Sequence, residues 1–309
     1  MNSARQPTPF ALVALLSLLL AGCPNPGDDQ TTAIPPAVRD EAERIDFADV
    51  RVLATIAGFV HDTLAGSEIE RHFLDTNLYD TAKADEDNAR YGLYLILKEK
   101  RTGRQIVAFR GTKTGFDIVR DLSADPTFYG AIGMEAHIGF GEAAKFAYEQ
   151  IQSQLSRDRD TVLVGHSMGG AIADIVSHYL VNVAQFQPTR IKVVTFGQPK
   201  VSQRDYPLQD VTYLRVVNSK DPVPMLPPQD VNAGWTYHHF HRAAYLWSGG
   251  QWSFLPEADV LQNWDYLEQL LSSDLNLHFM DNYSSRLNGL NAGDPNTLVP
   301  MSSERFDRG

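Results

Sequence analysis

Residues Thr161–Gly170 read TVLVGHSMGG, and the way this stretch is read decides the fold. Thr161, Val162, Leu163 and Val164 are β-branched or apolar, the composition of a short buried strand. Gly165, Ser167 and Gly169 then form G-x-S-x-G. Beyond it, Met168, Ala171, Ile172, Ile175, Val176 and Tyr179 recur at helical spacing. Strand, serine, helix is the context in which this pattern marks a nucleophile elbow. The serine sits on a sharp, strained turn, and its small neighbours let strand and helix pack closely.

With Gly and Ser each near ~7% of residues, one G-x-S-x-G arises by chance in roughly one chain in ten of this length. An idle serine in a glycine-rich turn is the competing reading. The rest of the chain has to decide between them.

The 309 residues are 43% hydrophobic, enough for one large domain or two small ones. A formal net charge of −11 argues against an electrostatic nucleic-acid binder, which carries a basic patch or stripe. At the N-terminus, Arg5 precedes the apolar run Phe10–Leu20, which is too short for a permanent membrane span. The run ends in Leu20-Ala21-Gly22-Cys23, and Cys23 is the single cysteine. Leu-Ala-Gly-Cys after such a run resembles the lipobox of bacterial lipoproteins. That resemblance implies cleavage before Cys23 and acylation of its thiol, which tethers a protein to a membrane without a spanning helix. The plainer alternative is an ordinary signal peptide with an incidental cysteine.

Taken in order, Pro24–Pro36 is rich in Pro, Asp and Thr and reads as a tether. Residues 1–22 are thus expected to be a signal, 23–40 a lipid-anchored linker, 41–287 the folded domain and 288–309 a loose polar tail. Periodicity predicts a helix over Ile45–Leu64, and Asp80–Arg90 reads as a surface loop. Tyr91–Lys98 and Gln105–Phe109 read as strands joined by a turn at Thr102-Gly103. Lys113–Ile132 has no strong strand signal. A helix is expected over about Gly141–Leu155, strands over Ile191–Phe196 and Val211–Val217, a hairpin arm over Trp235–Trp247 and a helix over Leu261–Leu271. Strands alternating with helices imply an α/β fold with a largely parallel sheet.

A serine hydroxyl needs an adjacent base, commonly a histidine oriented by a carboxylate, and on such sheets the chain order is Ser, acid, His. Asp221 follows a predicted strand and precedes Pro222, which biases it toward extended backbone at the strand's C-terminal end, where α/β sheets bind ligands. A plain Asp-Pro turn is the alternative. Asp205, Asp210 and Asp230 lack this placement. The later histidines are His238, His239, His241 and His278. His239 and His241 would share one strand face, but no carboxylate or cysteine lies nearby in sequence to complete a metal set. His278 lies beyond the last helix, where a returning loop reaches the strand ends. His166, beside the serine, should point away from it. Donors for an oxyanion are expected from the Met168 N–H and from the turn Arg110-Gly111-Thr112, through Thr112.

Phe109-Arg110-Gly111-Thr112, Ala136–Phe140 (AHIGF), Gly165–Gly170 (GHSMGG), Thr195–Val201 (TFGQPKV), Arg215–Pro228 (RVVNSKDPVPMLPP) and Tyr237–His241 together resemble the fungal-type, or class three, lipase family in order and spacing. The resemblance covers about Tyr91–Tyr283. It implies an α/β-hydrolase fold with a mostly parallel central sheet flanked by helices and a short lid over Lys113–Tyr129. It further implies Ser167 as nucleophile, Asp221 as acid, His278 as base, Thr112 and Met168 as the oxyanion hole, and a structural role for His239.

The expected activity is hydrolysis of carboxylic esters, acylglycerols foremost, with no metal or organic cofactor and with the protein held at a bacterial envelope membrane through Cys23; secretion is the alternative location. Phospholipase A or short-chain and aryl esterase activity is possible on the same scaffold. A lipid-anchored binding protein with a decayed site would lack a member of the triad or oxyanion hole, and all are present.

Overall fold

The computed structural model describes residues 34–61, 66–85, 94–111, 126–227, 237–255, 274–290, 294 and 296–300. Among the described residues, three helices come first: α1 (Pro36–Ala42), α2 (Phe47–His61) and α3 (Gly66–Asp75). Strands β1 (Tyr79–Asp85), β2 (Tyr94–Glu99) and β3 (Gln105–Phe109) form an antiparallel meander. A two-stranded ribbon, β4 (Pro126–Tyr129) with β5 (Met134–His137), leads into α4 (Ile138–Ile151). Then come β6 (Thr161–His166), α5 (Met168–His178), β7 (Ile191–Phe196), β8 (Thr212–Asn218), β9 (Ala243–Leu246), β10 (Trp252–Leu255) and α6 (Met280–Gly289).

The main sheet has the order β1-β2-β3-β6-β7-β8-β9-β10. Its middle, β3 through β9, is parallel, and antiparallel partners close both sides. In register, Phe109, Gly165, Thr195, Arg215 and Ala243 form one row across the parallel strands. Strands buried on both faces read as continuous apolar runs, which is why β6 and β7 are so plain in the sequence.

The period-two alternation sorts their side chains into two cores. Leu163, Val193 and Tyr213 join the cluster that includes Ala144 and Ala147 of α4 and Ile172 and Val176 of α5. Val162, Val164, Val194, Phe196, Leu214 and Val216 join the opposite cluster with Leu53, Ala54 and Ala57 of α2 and Met280, Tyr283 and Leu287 of α6. Helices α2 and α6 are stitched together by Arg51, which donates to the carbonyls of Leu287 (2.9 Å) and Leu290 (2.7 Å) at the C-terminal end of α6. Asp49 ties the start of α2 to the sheet through Arg104 (2.7 Å) and Lys192 (2.8 Å). Burial pushes the Asp49 carboxyl up, but hydrogen bonds from these two cations outweigh it and hold it below its ordinary value.

Several expectations need correction. Part of the loop expected over Asp80–Arg90 is instead strand β1, whose side chains at Asp80, Thr81 and Lys83 are exposed. An outermost strand carries polar residues because the sheet edge is wet. The last four residues of the expected lid, and part of the stretch without strand signal, form β4. Helix α4 begins at Ile138, earlier than predicted, because His137 caps it by accepting the Gly139 N–H at its Nδ1. The Trp235–Trp247 arm is not a hairpin by itself. Its end, β9, joins the main sheet parallel to β8, and the hairpin is β9 with β10.

At the domain's ends, α1 begins within the expected linker. Leu298 and Val299 are buried beside β10, within the tail expected to be loose. The predicted helix Leu261–Leu271, the signal, Cys23, and residues 112–125 of the oxyanion turn and lid lie outside the described residues. Among the described residues, no helix is long and apolar enough to cross a membrane.

Candidate active site

The elbow forms where β6 ends and α5 begins. Ser167 caps that helix with φ 58° and ψ −129°, a conformation that an L-residue adopts only at a cost of about 1–3 kcal/mol. The turn is held from both sides: the Ser167 N–H donates to the Phe196 carbonyl (2.9 Å), and the Ser167 carbonyl accepts the Gly170 N–H (2.9 Å). Met168 is the first residue of α5, so its N–H is among the amides with no partner inside the helix. The Arg110-Gly111 turn packs directly on the elbow. A methyl group at Gly111 would lie 2.8 Å from the His166 carbonyl oxygen and 3.2 Å from Ser167 Cβ, within 3.5 Å of the Met168 nitrogen. Glycine is what allows the approach.

The two later candidates meet at the same end of the sheet. Asp221 follows β8, and His278 ends a short 3₁₀ turn, Leu275–His278, just before α6. His278 Nδ1 lies 2.9 Å from Asp221 Oδ2 and 3.1 Å from Oδ1. A carboxylate is an acceptor, so Nδ1 carries the proton and Nε2 is left as the basic nitrogen. The Asp221 carboxylate also accepts the Tyr283 hydroxyl (Oδ2, 2.6 Å) and the Val223 N–H (Oδ1, 2.9 Å). Burial, then the Asp221 charge, pushes the Tyr283 phenol well above its ordinary pKa, so it stays a donor. The His278 turn is pinned to the strand end by Asn218, whose Nδ2 donates to the Leu277 carbonyl (2.8 Å), and by the Asp274 N–H on the Lys220 carbonyl (3.0 Å).

Ser167, Asp221 and His278 are all buried, and among the described residues neither Ser167 Oγ nor His278 Nε2 has a hydrogen-bond partner. Buried polar groups are normally paired, so two unpaired ones, a hydroxyl and a basic nitrogen, mark groups kept for chemistry. Gly197, at φ 56°, packs against Asp221, His278 and Tyr283 of α6. A Cβ there would lie 2.9 Å from Asp221 Oδ2, 2.9 Å from the Tyr283 hydroxyl and 3.0 Å from His278 Cε1.

Of the sequence candidates, Ser167, Met168, Asp221 and His278 are described at this site, while Thr112 and Cys23 lie outside the described residues. His239 and His241 do not share a strand face. Among the described residues, the strand pairing of His238–His241 is a single bridge from His238 to Ser202. His239 Nε2–H donates to the Pro224 carbonyl (2.7 Å), and burial with nearby Arg215 and Lys200 holds its pKa well below the ordinary value. His241 stacks flat on Tyr213 (3.7 Å, 3°), with Nε2 3.3 Å from Asp174 Oδ1. A carboxylate is therefore near His241 in space although none is near in sequence. Even so, no group of three or more metal-ligating side chains forms among the described residues. Sequence reasoning missed Tyr283, Asn218 and Gly197. Each acts across a long sequence interval, and only the positive-φ glycine in Phe196-Gly197-Gln198 carried a local hint.

Residues 106–231 match the family model described as Lipase (class 3). The chain is 36% identical over 131 residues to Lipase ZK262.3 of Caenorhabditis elegans, covering 39% of this chain and 37% of that one. It is 26% identical over 180 residues to secreted mono- and diacylglycerol lipase 2 of Gibberella zeae, covering 46% and 43%. The match thus spans about two-fifths of the length of these curated relatives. Among solved structures, the fold is similar to a Rhizomucor miehei lipase in complex with its propeptide, with TM-score 0.56, 17% identity and 80% of each chain covered. It is also similar to a lipase from Rhizopus microsporus var. chinensis, with TM-score 0.58, 18% identity, and 80% and 87% covered. At this identity the likeness is one of fold, an α/β-hydrolase sheet, mostly parallel and flanked by helices.

Proposed function

We propose that this chain, an α/β-hydrolase fold carrying the class 3 lipase pattern over residues 106–231, hydrolyses carboxylic esters, with acylglycerols as the substrate class. The observation that carries the reading is the Asp221–His278 bond, set against an unpaired Nε2 and an unpaired serine hydroxyl on a strained elbow. Ser167 Oγ attacks the ester carbonyl while its proton passes to His278 Nε2. Asp221 holds the ring and stabilises the imidazolium. The Met168 N–H, with Thr112, stabilises the oxyanion, a contribution of about 3 kcal/mol per donor. Collapse breaks the C–O bond to the alcohol, which leaves with the proton from His278. Water then attacks the acyl-enzyme, gives its proton to His278, and the acid leaves as Ser167 is restored.

Two observations support an apolar acyl substrate. The relatives' names include mono- and diacylglycerol lipase, and Phe279, the residue after the base, exposes 44% of its surface. The test is a fluorophosphonate probe together with a panel of triacylglycerols, phospholipids and p-nitrophenyl esters of graded chain length. Wild type should label and Ser167→Ala should not. A folded but unlabelled wild type sinks the enzyme reading, and a preference for phospholipids or short aryl esters overturns the substrate class.

The same proposal places the mature protein at a bacterial envelope membrane through acylated Cys23, on the strength of Leu20-Ala21-Gly22-Cys23 after the apolar run. Intact mass of the mature protein should show diacylglycerol on a chain beginning at Cys23. An unmodified product beginning elsewhere refutes it.

A further inference from the structure

His166 ends β6 and is covalently joined to Ser167, yet its ring turns away from the serine to lie beneath the candidate base. It is 1% exposed. Its ring centroid is 4.5 Å from that of His278 at 34°, and 6.0 Å from that of Tyr283 at 67°. Its Nε2 lies 2.6 Å from the backbone carbonyl oxygen of His278, a contact between residues 112 apart in sequence. A carbonyl oxygen only accepts, so His166 carries its proton on Nε2 and donates.

We infer that His166 is a positioning residue, one that fixes the backbone of the base to the backbone of the nucleophile. The inference rests on the ester-hydrolase reading above. Among the described residues, the restraints that the sheet places on the His278 turn through Asn218, Lys220 and Asp221 come from the end of β8, and Asn282 of α6 adds a bond to the Asn276 carbonyl (2.7 Å). Among the described residues, the His166 bond is the hydrogen bond that refers the turn to β6, the strand that presents Ser167. The path from Oγ to the base therefore runs through one peptide bond, one imidazole and one hydrogen bond. Proton transfer from Oγ to Nε2 depends on their separation to within a fraction of an ångström, and a misplacement of about 1 Å costs on the order of 100-fold in rate. The His166 ring, tilted by 34°, also packs against the His278 imidazole.

The experiment compares His166→Phe, which keeps a ring and removes the donor, with His166→Gln, whose amide N–H reaches where Nε2 stood. Wild type and variants are assayed as full-length proteins on p-nitrophenyl butyrate, and the downfield proton resonance of the His278 Nδ1–H is recorded. The Phe variant should lose ~10- to 100-fold in kcat with KM within twofold, and its resonance should broaden or shift. The Gln variant should recover at least ~10-fold of a full loss. Equal kcat in Phe and wild type overturns the inference, as does a Gln variant no better than Phe. If the Phe variant does not fold, His166→Asn, whose amide stops short of the carbonyl, replaces it. An inactive, unlabelled wild type would instead reject the ester-hydrolase reading, so the two failures are distinct.

Discussion

The Tyr283 hydroxyl donates a 2.6 Å hydrogen bond to Oδ2 of Asp221, the same oxygen that lies 2.9 Å from His278 Nδ1. The phenol also accepts the Asn218 N–H at 3.2 Å. The acid is thus oriented by helix α6 as well as by its own strand end.

Tyr283→Phe removes one charge-assisted bond from Asp221 and leaves the Asn218 N–H unpaired. Hydrogen bonds to charged groups contribute about 1.5–3 kcal/mol. We expect kcat to fall about tenfold or more with KM little changed, and the unfolding free energy to fall by about 1–2 kcal/mol. Steady-state kinetics beside urea melts decide it, and unchanged kcat would remove Tyr283 from the site.

At Gly197, the substitution Gly197→Ala combines positive φ with a methyl group about 3 Å from three site atoms. Strain of about 1–3 kcal/mol is expected in stability. Activity should fall further than stability implies, by at least ~100-fold, because Asp221, Tyr283 and His278 are the groups displaced. A folded Ala variant with near-normal kcat would contradict the packing described.

The elbow strain predicts an inversion of the usual propensity rule. Glycine ordinarily loses about 0.4–1 kcal/mol to alanine through unfolded-state entropy. At φ 58° and ψ −129° the folded-state strain is larger, so Ser167→Gly should be more stable than Ser167→Ala by about 1 kcal/mol. Both should be inert toward the fluorophosphonate. Thermal melts of the two variants give the answer, and a more stable Ala variant would mean the elbow is unstrained.

Acid should weaken the fold through the buried Asp174 and His178 of α5. Burial, opposed by attraction to Asp174, pushes His178 down to about 4 from its ordinary 6.5. Between those values the unfolded chain holds a proton that the folded chain does not, so stability is complete above pH 6.5 and declines as pH falls toward 4. The slope is about 1.4 kcal/mol per pH unit, on the order of 3 kcal/mol in all. Burial alone would raise Asp174, but the His241 charge and hydrogen bond outweigh it and lower it, so its contribution is lost only at still lower pH. His178→Gln should flatten the decline in melting temperature between pH 6.5 and 4.5. An equally steep decline in that variant assigns the acid sensitivity elsewhere.

What could be read without coordinates was local or strictly ordered. Thr161–Gly170 carries its own strand, turn and helix signals within ten consecutive residues, and β7 was legible to the residue because both its faces are buried. Asp221 stood out because Pro222 and a preceding strand are its immediate neighbours. By contrast, β1 is polar and lies at the sheet edge, and β4 is only four residues long, so their strand character comes from pairing with Tyr94–Glu99 and Met134–His137 and not from their own pattern. The carboxylate partner of His241 is Asp174, 67 residues away, and no spacing rule reaches that far.

The sequence by itself determined the class of fold, the elbow and the order serine, acid, histidine. Those depend on periodicity, on glycine and proline, and on chain direction. Only the tertiary structure decided that His278 meets Asp221, that Tyr283 shares that carboxylate, and that His166, turned from the serine as its position requires, bonds the backbone of the base. These contacts join residues 57, 62 and 112 apart, brought together because parallel strands place all their C-terminal ends on one edge of the sheet. A strand-and-helix pattern dictates that such an edge exists. Which side chains touch there is set by packing, through interatomic distances that no one-dimensional pattern contains.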